Sequence, residues 1–592
     1  MKGALKNKLQ DCWLFVGYFI VNLLCFYRRD LFFRLDDYFV VLSWARARWT
    51  LRYLLAPHNE HFVPLAKLFY AIEIVCFREH YGLFILTNCA LMAMTALLWK
   101  KFLQRLGSPV WLAIAIPLLA CTSTPSQENI MLAWQSGLIL SAASLIGAVW
   151  AYLDQRLFAC LLFAAVSALT FSSAIPVCLA LGGFLLLDGF VTKDRRLLMG
   201  GCSMLALFAF LIACERIIEG LIGVGPSFRQ TFWNQPTFWI NLGHLTWLAY
   251  YTLSIALAGP FLQLYWQLVG GHASENVSVL AAALGFGGAA LLLLRVRRSS
   301  VRRLVIQLVL LQVALFVFIG PFRQTGGLVA RYYTSGSIPL FSAVAAAAYA
   351  VASRARWRLE WMALPLVAII GVNLTRIAVQ GDGRMQVQLG RAARLDYYST
   401  KSWLLRHQGE VIPNNSGIRW IAPWFNTAQM VTIIPVLDRS FSYPATVFRG
   451  VHYLENLDAT RPWGTNPGNQ AIEQAFRFDH PEVLTKFELW SGTVRNRRGS
   501  VEIALMDREH PLWSVVIPGN QWPNGVWFGL PVDMIHLLPA TTYVLRIRPQ
   551  SPLPGDQLNL MMNGDPASYP QGETLTPDGS VGNLCFRLAL LD

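Results

Sequence analysis

Apolar stretches of about twenty residues recur through the first 380 positions of this chain, and a helix needs roughly that length to cross the hydrocarbon core of a bilayer. The chain has 592 residues, of which 55% are hydrophobic and only 14% are charged. This composition excludes an ordinary soluble globule. The sequence therefore predicts a polytopic α-helical membrane protein.

Basic residues orient the predicted spans, because Lys and Arg collect on the cytoplasmic side of membrane proteins. Clusters at 100–105, 193–196, 295–303 and 354–358 alternate with short loops that lack Lys and Arg. This alternation predicts a cytoplasmic amino terminus and an extracytoplasmic carboxyl-terminal region. The eleven predicted crossings are 11–27, 81–99, 109–121, 130–151, 157–171, 175–191, 198–217, 277–294, 303–320, 333–352 and 360–377.

The stretch 218–275 does not fit this alternation. It contains an apolar run at 245–269, yet one extra crossing there would export the basic cluster at 295–303. Gly259 and Pro260 stand in the middle of the run and would break a continuous helix. We therefore predict a broken or re-entrant segment, with an interfacial run or a double crossing as the alternatives.

Charge and cysteine content limit the function classes. The formal net charge of +15 follows from the cytoplasmic clusters and does not indicate nucleic acid. No Gly-rich phosphate-binding loop follows a predicted strand, so a nucleotide-driven motor is unsupported. Nine of the ten cysteines lie in or beside apolar spans, where a thiol behaves as a small hydrophobe. The outer region, with Cys585 alone, cannot hold an internal disulfide.

The composition changes after about Val379. An amphipathic connecting helix is predicted at 383–408, followed by strand candidates at 418–422 and 430–437. From about Ala445 the pattern becomes short alternating strands with regular turn signals, which predicts a β-sandwich. The predicted domains are a membrane domain (1–380), a connecting region (381–444) and the sandwich (445–592). The predicted strands are 484–490, 501–506, 513–517, 526–530, 543–548, 558–562 and 584–590.

Two adjacent carboxylates, Asp36 and Asp37, follow the first predicted span on its outer side. Acidic residues are common in the first turn of a helix, which is the structural interpretation. The functional interpretation is a general base beside an orienting or stabilising carboxylate, since a positioned carboxylate can take the proton of an attacking hydroxyl. We favour the functional interpretation, because charge at the edge of a bilayer is costly and usually functional.

Arginines crowd the first outer loop, although outer loops are normally poor in Arg. The loop contains Arg34 together with Arg46, Arg48 and Arg52, and a later outer loop contains Arg323 and Arg331 beside Tyr332. Guanidinium groups bind phosphate oxygens bidentately, so these residues predict an anionic phosphate at the membrane surface. The alternative is attraction of the loop to anionic lipid headgroups.

A second polar cluster, His58, Glu60 and His61, lies in the same first loop. Its spacing lacks the His-Glu-x-x-His order of zinc peptidases, and it would need a third metal ligand from elsewhere. A hydrogen-bonded substrate pocket is the favoured interpretation, and no metal or other cofactor is assigned, although a divalent metal is compatible. Glu128 is a candidate for the same pocket, with a helix start as its structural alternative. Trp134 and Gln135 could stack on a sugar and hydrogen-bond to it, and the alternative is that Trp134 belongs to the ordinary aromatic belt.

The acidic pair in Asp36-Asp37-Tyr38, the loop 57–64 and Arg331-Tyr332-Tyr333 together resemble the polytopic GT-C glycosyltransferases. This resemblance implies a donor sugar on a polyprenyl phosphate, with Asp36 as the catalytic base beside Asp37, and with Arg331, Arg34, Arg323 and Tyr332 around the donor phosphate. It also implies an active site outside a bacterial inner membrane. The sandwich looks like the carbohydrate-binding jelly roll of several members, including arabinofuranosyltransferases of cell-envelope glycans.

The predicted function is therefore an inverting glycosyltransferase that moves a sugar to a glycan, lipid or protein acceptor outside the cell. The alternative is a transporter or flippase of a lipid-linked glycan. Transporters usually place ionisable residues at the bilayer midplane, often in two repeated halves, whereas here these residues collect in outer loops. A polymerase or ligase of surface glycans would predict a dominant outer loop in the middle of the chain.

The predicted orientation can be tested with one engineered cysteine. A cysteine at Ser500, in the region predicted to be outside, should react with a membrane-impermeant reagent in intact cells or spheroplasts. The same protein with its native cysteines alone supplies the background labelling. Labelling at position 500 that appears only after lysis would reverse the predicted topology.

Overall fold

The structure is a computed structural model of the chain. It describes residues 2–27, 31–33, 36–56, 62–121, 129–171, 174–222, 296, 299–319, 333–355, 367–368, 370–371, 374, 384–408, 410, 412–414, 426–443, 448–449, 451–456, 461–462, 466–467, 471–495, 499–519, 521–523, 526–550, 557–563, 574–575, 583–584 and 586–591. At some positions within these ranges, Asp36 among them, only the backbone is described.

Contacts divide the chain into two compact units. The membrane unit comprises Met1–Tyr27, Ala47–Cys76 and Gly82–Asp382. The sheet unit comprises Gly383–Asp592 together with two short segments from the first loop, Arg28–Arg46 and Phe77–Tyr81. The segment that contains the acidic pair therefore belongs to the same unit as the carboxyl-terminal sheets, a grouping that spacing along the sequence does not reveal.

Helices account for the described part of the membrane unit. The first loop contributes three of them, α2, α3 and α4, although α2 up to Arg46 belongs to the sheet unit. The helices of the first 355 residues are α1 (Lys2–Phe26), α2 (Asp36–Ala47), α3 (Leu51–Leu55), α4 (Pro64–Phe77), α5 (Tyr81–Arg105), α6 (Val110–Cys121), α7 (Ser136–Leu153), α8 (Leu157–Thr170), α9 (Ile175–Thr192), α10 (Arg195–Ile222), α11 (Ser299–Ile319) and α12 (Tyr333–Ala355), with a 3-10 turn at Ala133–Gln135 before α7.

Five described helical segments are long and apolar enough to cross a membrane, as the sequence predicted for a membrane protein. Two shorter apolar helices, Val110–Cys121 and Leu157–Thr170, also lie at predicted crossings. The predicted crossing 277–294 lies outside the described residues, and 360–377 is described only at isolated positions. The five segments are Leu9–Phe26, Tyr81–Arg105, Ala133–Leu153, Ile175–Thr192 and Arg195–Cys214.

Small side chains and a few hydrogen bonds hold the membrane helices together, as expected where apolar association gains little from the surrounding lipid. Ser141 on α7 and Ser167 on α8 exchange hydrogen bonds at 2.9–3.0 Å. The indole Nε1 of Trp99 on α5 donates to Ser342 Oγ on α12 at 2.9 Å. Each hydrogen bond gives a partner to a buried polar group, which would be costly to leave unpaired in an apolar environment.

The sheet unit begins with two helices, α13 (Arg384–Arg406) and α14 (Thr427–Leu437). The connecting helix predicted at 383–408 is confirmed by α13. The strand predicted at 430–437 is wrong, because Asn426 and Gln429 form a capping box that starts α14. A short apolar run fits either state by periodicity, and this cap decides for the helix. The strand predicted at 418–422 lies outside the described residues.

Among the described residues, two antiparallel sheets and one short parallel pair of strands complete this unit, and the seven strands predicted from position 445 onward are confirmed. The larger sheet has the order β14-β12-β7-β15-β3, with β10 also paired to β7 and β4 and β5 to β12; the smaller has the order β13-β6-β11-β8-β9. The strands are β1 (Ile412–Pro413), β2 (Phe448–Arg449), β3 (Val451–Asn456), β4 (Arg461–Pro462), β5 (Asn466–Pro467), β6 (Ile472–Arg477), β7 (Glu482–Arg495), β8 (Ser500–Asp507), β9 (His510–Pro518), β10 (Trp527–Leu537), β11 (Thr542–Gln550), β12 (Gln557–Asn563), β13 (Thr574–Leu575), β14 (Asn583–Leu584) and β15 (Phe586–Leu591), and β1 pairs with β2 alone.

Aromatic side chains fill the space between the two sheets. Phe476 on β6 meets Phe586 on β15 edge to face, with 5.0 Å between ring centroids. Phe487 on β7 meets Trp513 on β9 at 5.7 Å. These contacts pack one face of the larger sheet against the smaller sheet, which is the arrangement that period-two alternation predicts.

The close approach of α4 to α7 yields a stability prediction. A Cβ on Gly137 would lie 2.5 Å from the Cβ of Ala66, so Gly137→Ala forces the helices apart. We expect a loss of about 1–3 kcal/mol in the free energy of unfolding, measured in detergent. Gly183→Ala on α9 is the matched control, because its Cβ would meet nothing within 4 Å. Equal stability of the two variants would contradict the close packing.

Candidate functional site

The acidic pair begins α2, and its two members differ in what the structure describes. Asp36 is the first residue of the helix, and its side chain lies outside the described residues. Asp37 is only 1% exposed, and its Oδ2 accepts a hydrogen bond from the hydroxyl of Tyr81 at 3.1 Å. A buried carboxylate that accepts a hydrogen bond is held in one orientation, which suits an orienting or stabilising role.

A cluster of aromatic rings surrounds this hydrogen bond. Phe33 contacts Tyr81 edge to face with 5.0 Å between centroids, and Phe32 lies 6.3 Å from the same ring. Phe32 also contacts Tyr397 and Tyr398 of α13, at 5.2 and 5.9 Å. These rings exclude water around Asp37 and connect it to the helix that precedes the sheets. We call this group, with Tyr38, the aromatic cluster.

Tyr38 follows the acidic pair directly and is buried. Burial raises the pKa of its hydroxyl well above the ordinary value, and Asp396, Tyr397 and Asp37 raise it further. The hydroxyl therefore stays protonated at physiological pH. It is a neutral group within the electrostatic influence of Asp37 and Asp396, and it cannot act as a base.

A positive stripe runs along α13 next to the aromatic cluster. Arg394 and Lys401 each lie 5.8 Å from the centre of the Tyr398 ring. Lys401 also pairs with Asp438 and, at 3.8 Å, with Glu79. Burial alone would raise the pKa of Asp438, but hydrogen bonds from Lys401 and Ser440 bring it below its ordinary value. Cations over an aromatic face contribute modestly and orient the ring.

In the membrane unit, Gln135 is the predicted pocket residue that the structure describes. It is buried at the end of the 3-10 turn that leads into α7. Asn88 on α5 holds the preceding backbone by donating to the carbonyls of Ile130 and Leu132, at 3.2 and 2.9 Å. Trp134 contacts Tyr70 on α4 edge to face at 5.3 Å. Trp134 is therefore a packing residue, and Gln135 sits on a well-held turn.

Two buried ionisable residues on α4 escaped the sequence prediction. Glu73 accepts a hydrogen bond at 3.2 Å from Ser136 Oγ in the first turn of α7. The dipole of α7 also stabilises a negative charge at this end of the helix. Lys67 donates from Nζ to the carbonyl oxygens of Tyr53 and Ala56, which closes the carboxyl end of α3. Burial lowers the pKa of Lys67 to about 8. The available signal was charge inside the apolar run 64–77, which is costly and therefore informative.

Most of the other predicted site residues cannot be placed. Arg34, His58, Glu60, His61, Glu128, Arg323, Arg331 and Tyr332 lie outside the described residues. Among the described side chains, no group of three or more His, Cys, Asp or Glu residues could hold a metal ion. The loop that contains His58 and His61 lies outside that search, so the metal question there stays a prediction.

No family model matches the chain, and no curated protein matches it in sequence. The chemistry therefore rests on the side chains themselves. In the sheet unit these are a held carboxylate, a neutral phenol and a cationic stripe within one group of contacts. Such a set holds a carboxylate and a phenol in fixed positions.

The hydrogen bond between Tyr81 and Asp37 can be tested by paired substitutions. Tyr81→Phe removes a donor to a buried carboxylate, and we expect the free energy of unfolding in detergent to fall by about 1–3 kcal/mol. Tyr397→Phe is the control, because the buried Tyr397 hydroxyl has no hydrogen-bond partner among the described residues. That control should be neutral or slightly stabilising. Similar losses in both variants would show that the hydroxyl of Tyr81 is not what matters.

Proposed function

We propose that the protein is an inverting glycosyltransferase that transfers a sugar from a polyprenyl-phosphate donor to an acceptor outside the cytoplasm. The acceptor is a cell-envelope glycan, a lipid or a surface protein. The observation that carries the proposal is the acidic pair at the start of α2, directly after the first membrane-length helix, with Asp37 buried and held by Tyr81. The burial of Asp37 leaves Asp36, one residue closer to the helix start, as the base that meets the acceptor.

The reaction we propose is a single displacement. Asp36 takes the proton of the acceptor hydroxyl as its oxygen attacks the anomeric carbon, and the bond from that carbon to the prenyl phosphate oxygen breaks. Asp37 and the neutral hydroxyl of Tyr38 hold the geometry around the base. The phosphate leaves as an anion, and one displacement inverts the configuration at the anomeric carbon. The step as written requires no metal, and a divalent metal is compatible with it.

Arginines are proposed to bind the donor phosphate, as the resemblance to the GT-C enzymes implies. Arg331, Arg34 and Arg323 supply the charge, and Tyr332 contributes a hydroxyl. Guanidinium groups suit this task because their planar forks match phosphate oxygens, and they stabilise the charge that develops on the leaving group. His58, Glu60, His61, Glu128 and Gln135 are proposed to line the substrate pocket.

The finer architecture belongs to the same proposal. It comprises eleven crossings of a bacterial inner membrane plus a broken or re-entrant segment within 218–275. The acidic pair and the sheets lie outside the cytoplasm. The two sheets have a jelly-roll-like, carbohydrate-binding role and orient the acceptor. The antiparallel order of the sheets and the aromatic core between them support the sandwich arrangement alone.

The catalytic role of Asp36 has a direct test. Asp36→Asn keeps the shape of the side chain and loses the base, so transfer from the lipid donor should fall by roughly 10²-fold or more. Asp37→Asn should cost less. Asp154→Asn is the control, because that carboxylate pairs with Arg105 and accepts from Trp150 in the membrane unit.

A purified Asp36→Asn protein with a nearly wild-type turnover would exclude Asp36 as the base. Reconstituted wild-type protein that moves lipid-linked sugar across the bilayer without transferring it would favour the flippase alternative.

A further inference from the structure

The larger sheet has one apolar and one charged face in its central strands. Along β7, Phe487 and Leu489 point toward the smaller sheet, whereas Lys486 and Glu488 point the other way. In an antiparallel sheet that second face is normally wet. Here Lys486 and Glu488 are both buried, and α13 lies over the face, with Trp403 Nε1 donating to the carbonyl of Val532 on β10 at 3.1 Å.

The buried charges on this face pair with one another and with α13. Lys486 Nζ lies 3.2 Å from Asp396 Oδ1 on α13 and 3.6 Å from Glu488 Oε1. Arg587 on β15 contributes a second cation, 3.3 Å from Glu488 Oε2. Burial raises the pKa of Glu488 to about 7 in spite of these two cations. Buried charge of this kind is tolerated only when the partners stay in place.

Gly529 on β10 leaves room for the ion pair. It stands opposite Glu488 in the register, and a Cβ there would lie 2.8 Å from Lys486 Cε and 3.1 Å from Glu488 Cγ. The lysine stem therefore passes over the glycine on its way to Asp396. A Cβ at this position would require the end of the Lys486 side chain to shift.

The other side of α13 reaches the acidic segment. Tyr397, the residue after Asp396, and Tyr398 contact Phe32, and Phe32 contacts the ring of Tyr81. The hydroxyl of Tyr81 donates to Asp37. Direct contacts thus run from β7 through α13 and the aromatic cluster to Asp37 of the acidic pair, all within the sheet unit.

We infer that Lys486 and Asp396 are positioning residues for the acidic pair, so that the carboxyl-terminal sheet fixes the geometry of the proposed site. This inference rests on the proposed function for its catalytic consequence, but its structural content stands alone. Neither residue touches the reacting atoms. Both act by holding α13, and α13 holds Phe32 and Tyr81 in place.

The test compares Lys486→Met with Arg546→Met in the full chain. Arg546 lies 2.6 Å from Glu473 on the smaller sheet, in a partly exposed ion pair, and is therefore the control for the loss of a paired cation that does not contact α13. Amide hydrogen exchange in 31–46 and 77–81 should be roughly tenfold faster or more in Lys486→Met, since these segments lose their support. The kcat for sugar transfer should fall roughly tenfold or more, with the KM for donor nearly unchanged, because the bound geometry is lost rather than the binding. Arg546→Met should change neither quantity.

Two further variants keep the test decisive if Lys486→Met does not fold. Asp396→Asn keeps the side-chain shape and should accelerate exchange in the same segments, and Gly529→Ala should act in the same direction. Wild-type exchange in 31–46 and 77–81 in every folded variant would overturn the inference. Faster exchange in a protein whose wild type transfers no sugar would overturn the proposed function and leave the positioning role standing. If the wild type transfers sugar but amide exchange is unaltered in the variants, the positioning role is overturned and the proposed function stands.

Discussion

Lys486 and Asp396 form an ion pair from which water is largely excluded, and a buried charge in a protein depends on its partner staying in place. This pair fixes α13 on a sheet face that would otherwise be wet. Once α13 is fixed, its tyrosines can pack on Phe32, and the acidic segment gains a rigid wall. The charged face of β7 is thus linked by direct contacts to Asp37 in the first loop.

Period and composition were sufficient for much of the fold. The connecting helix at 384–406 and the seven predicted strands follow from amphipathic and alternating patterns, which depend on local burial, whereas β3 and β6 were not predicted. The run Met430 to Leu437 shows where this reasoning stops, because its eight residues, apolar except for Thr432, fit either a strand or a helix. The capping box of Asn426 and Gln429 decides for the helix. The alternation predicted the strand at 484–490 but could not show that α13 covers the face of Lys486 and Glu488, since burial by a distant segment leaves no local pattern.

The candidate site divides in the same way. Adjacent carboxylates after an apolar span stood out in the sequence because charge there is expensive. Their difference did not: Asp37 is buried and bonded to Tyr81, forty-four positions away, and no spacing rule predicts such a pair. Lys67 and Glu73 could have been found, since both interrupt an apolar helix. Their hydrogen-bond partners could not be found in this way, because every residue has a backbone carbonyl and serine is common at helix starts.

The sheet unit is assembled from pieces at opposite ends of the chain, and this has a consequence for how the protein is made. Arg28–Arg46 is synthesised first, whereas Gly383–Asp592 follows more than three hundred residues later. At roughly 5–20 residues per second, the acidic segment waits on the order of tens of seconds for the tyrosines and strands that will surround it. A nascent or prematurely terminated chain therefore contains both aspartates but lacks the tyrosines of α13 and the strands that pack around them. Completion of translation is the event that completes the site, so only full-length molecules present it.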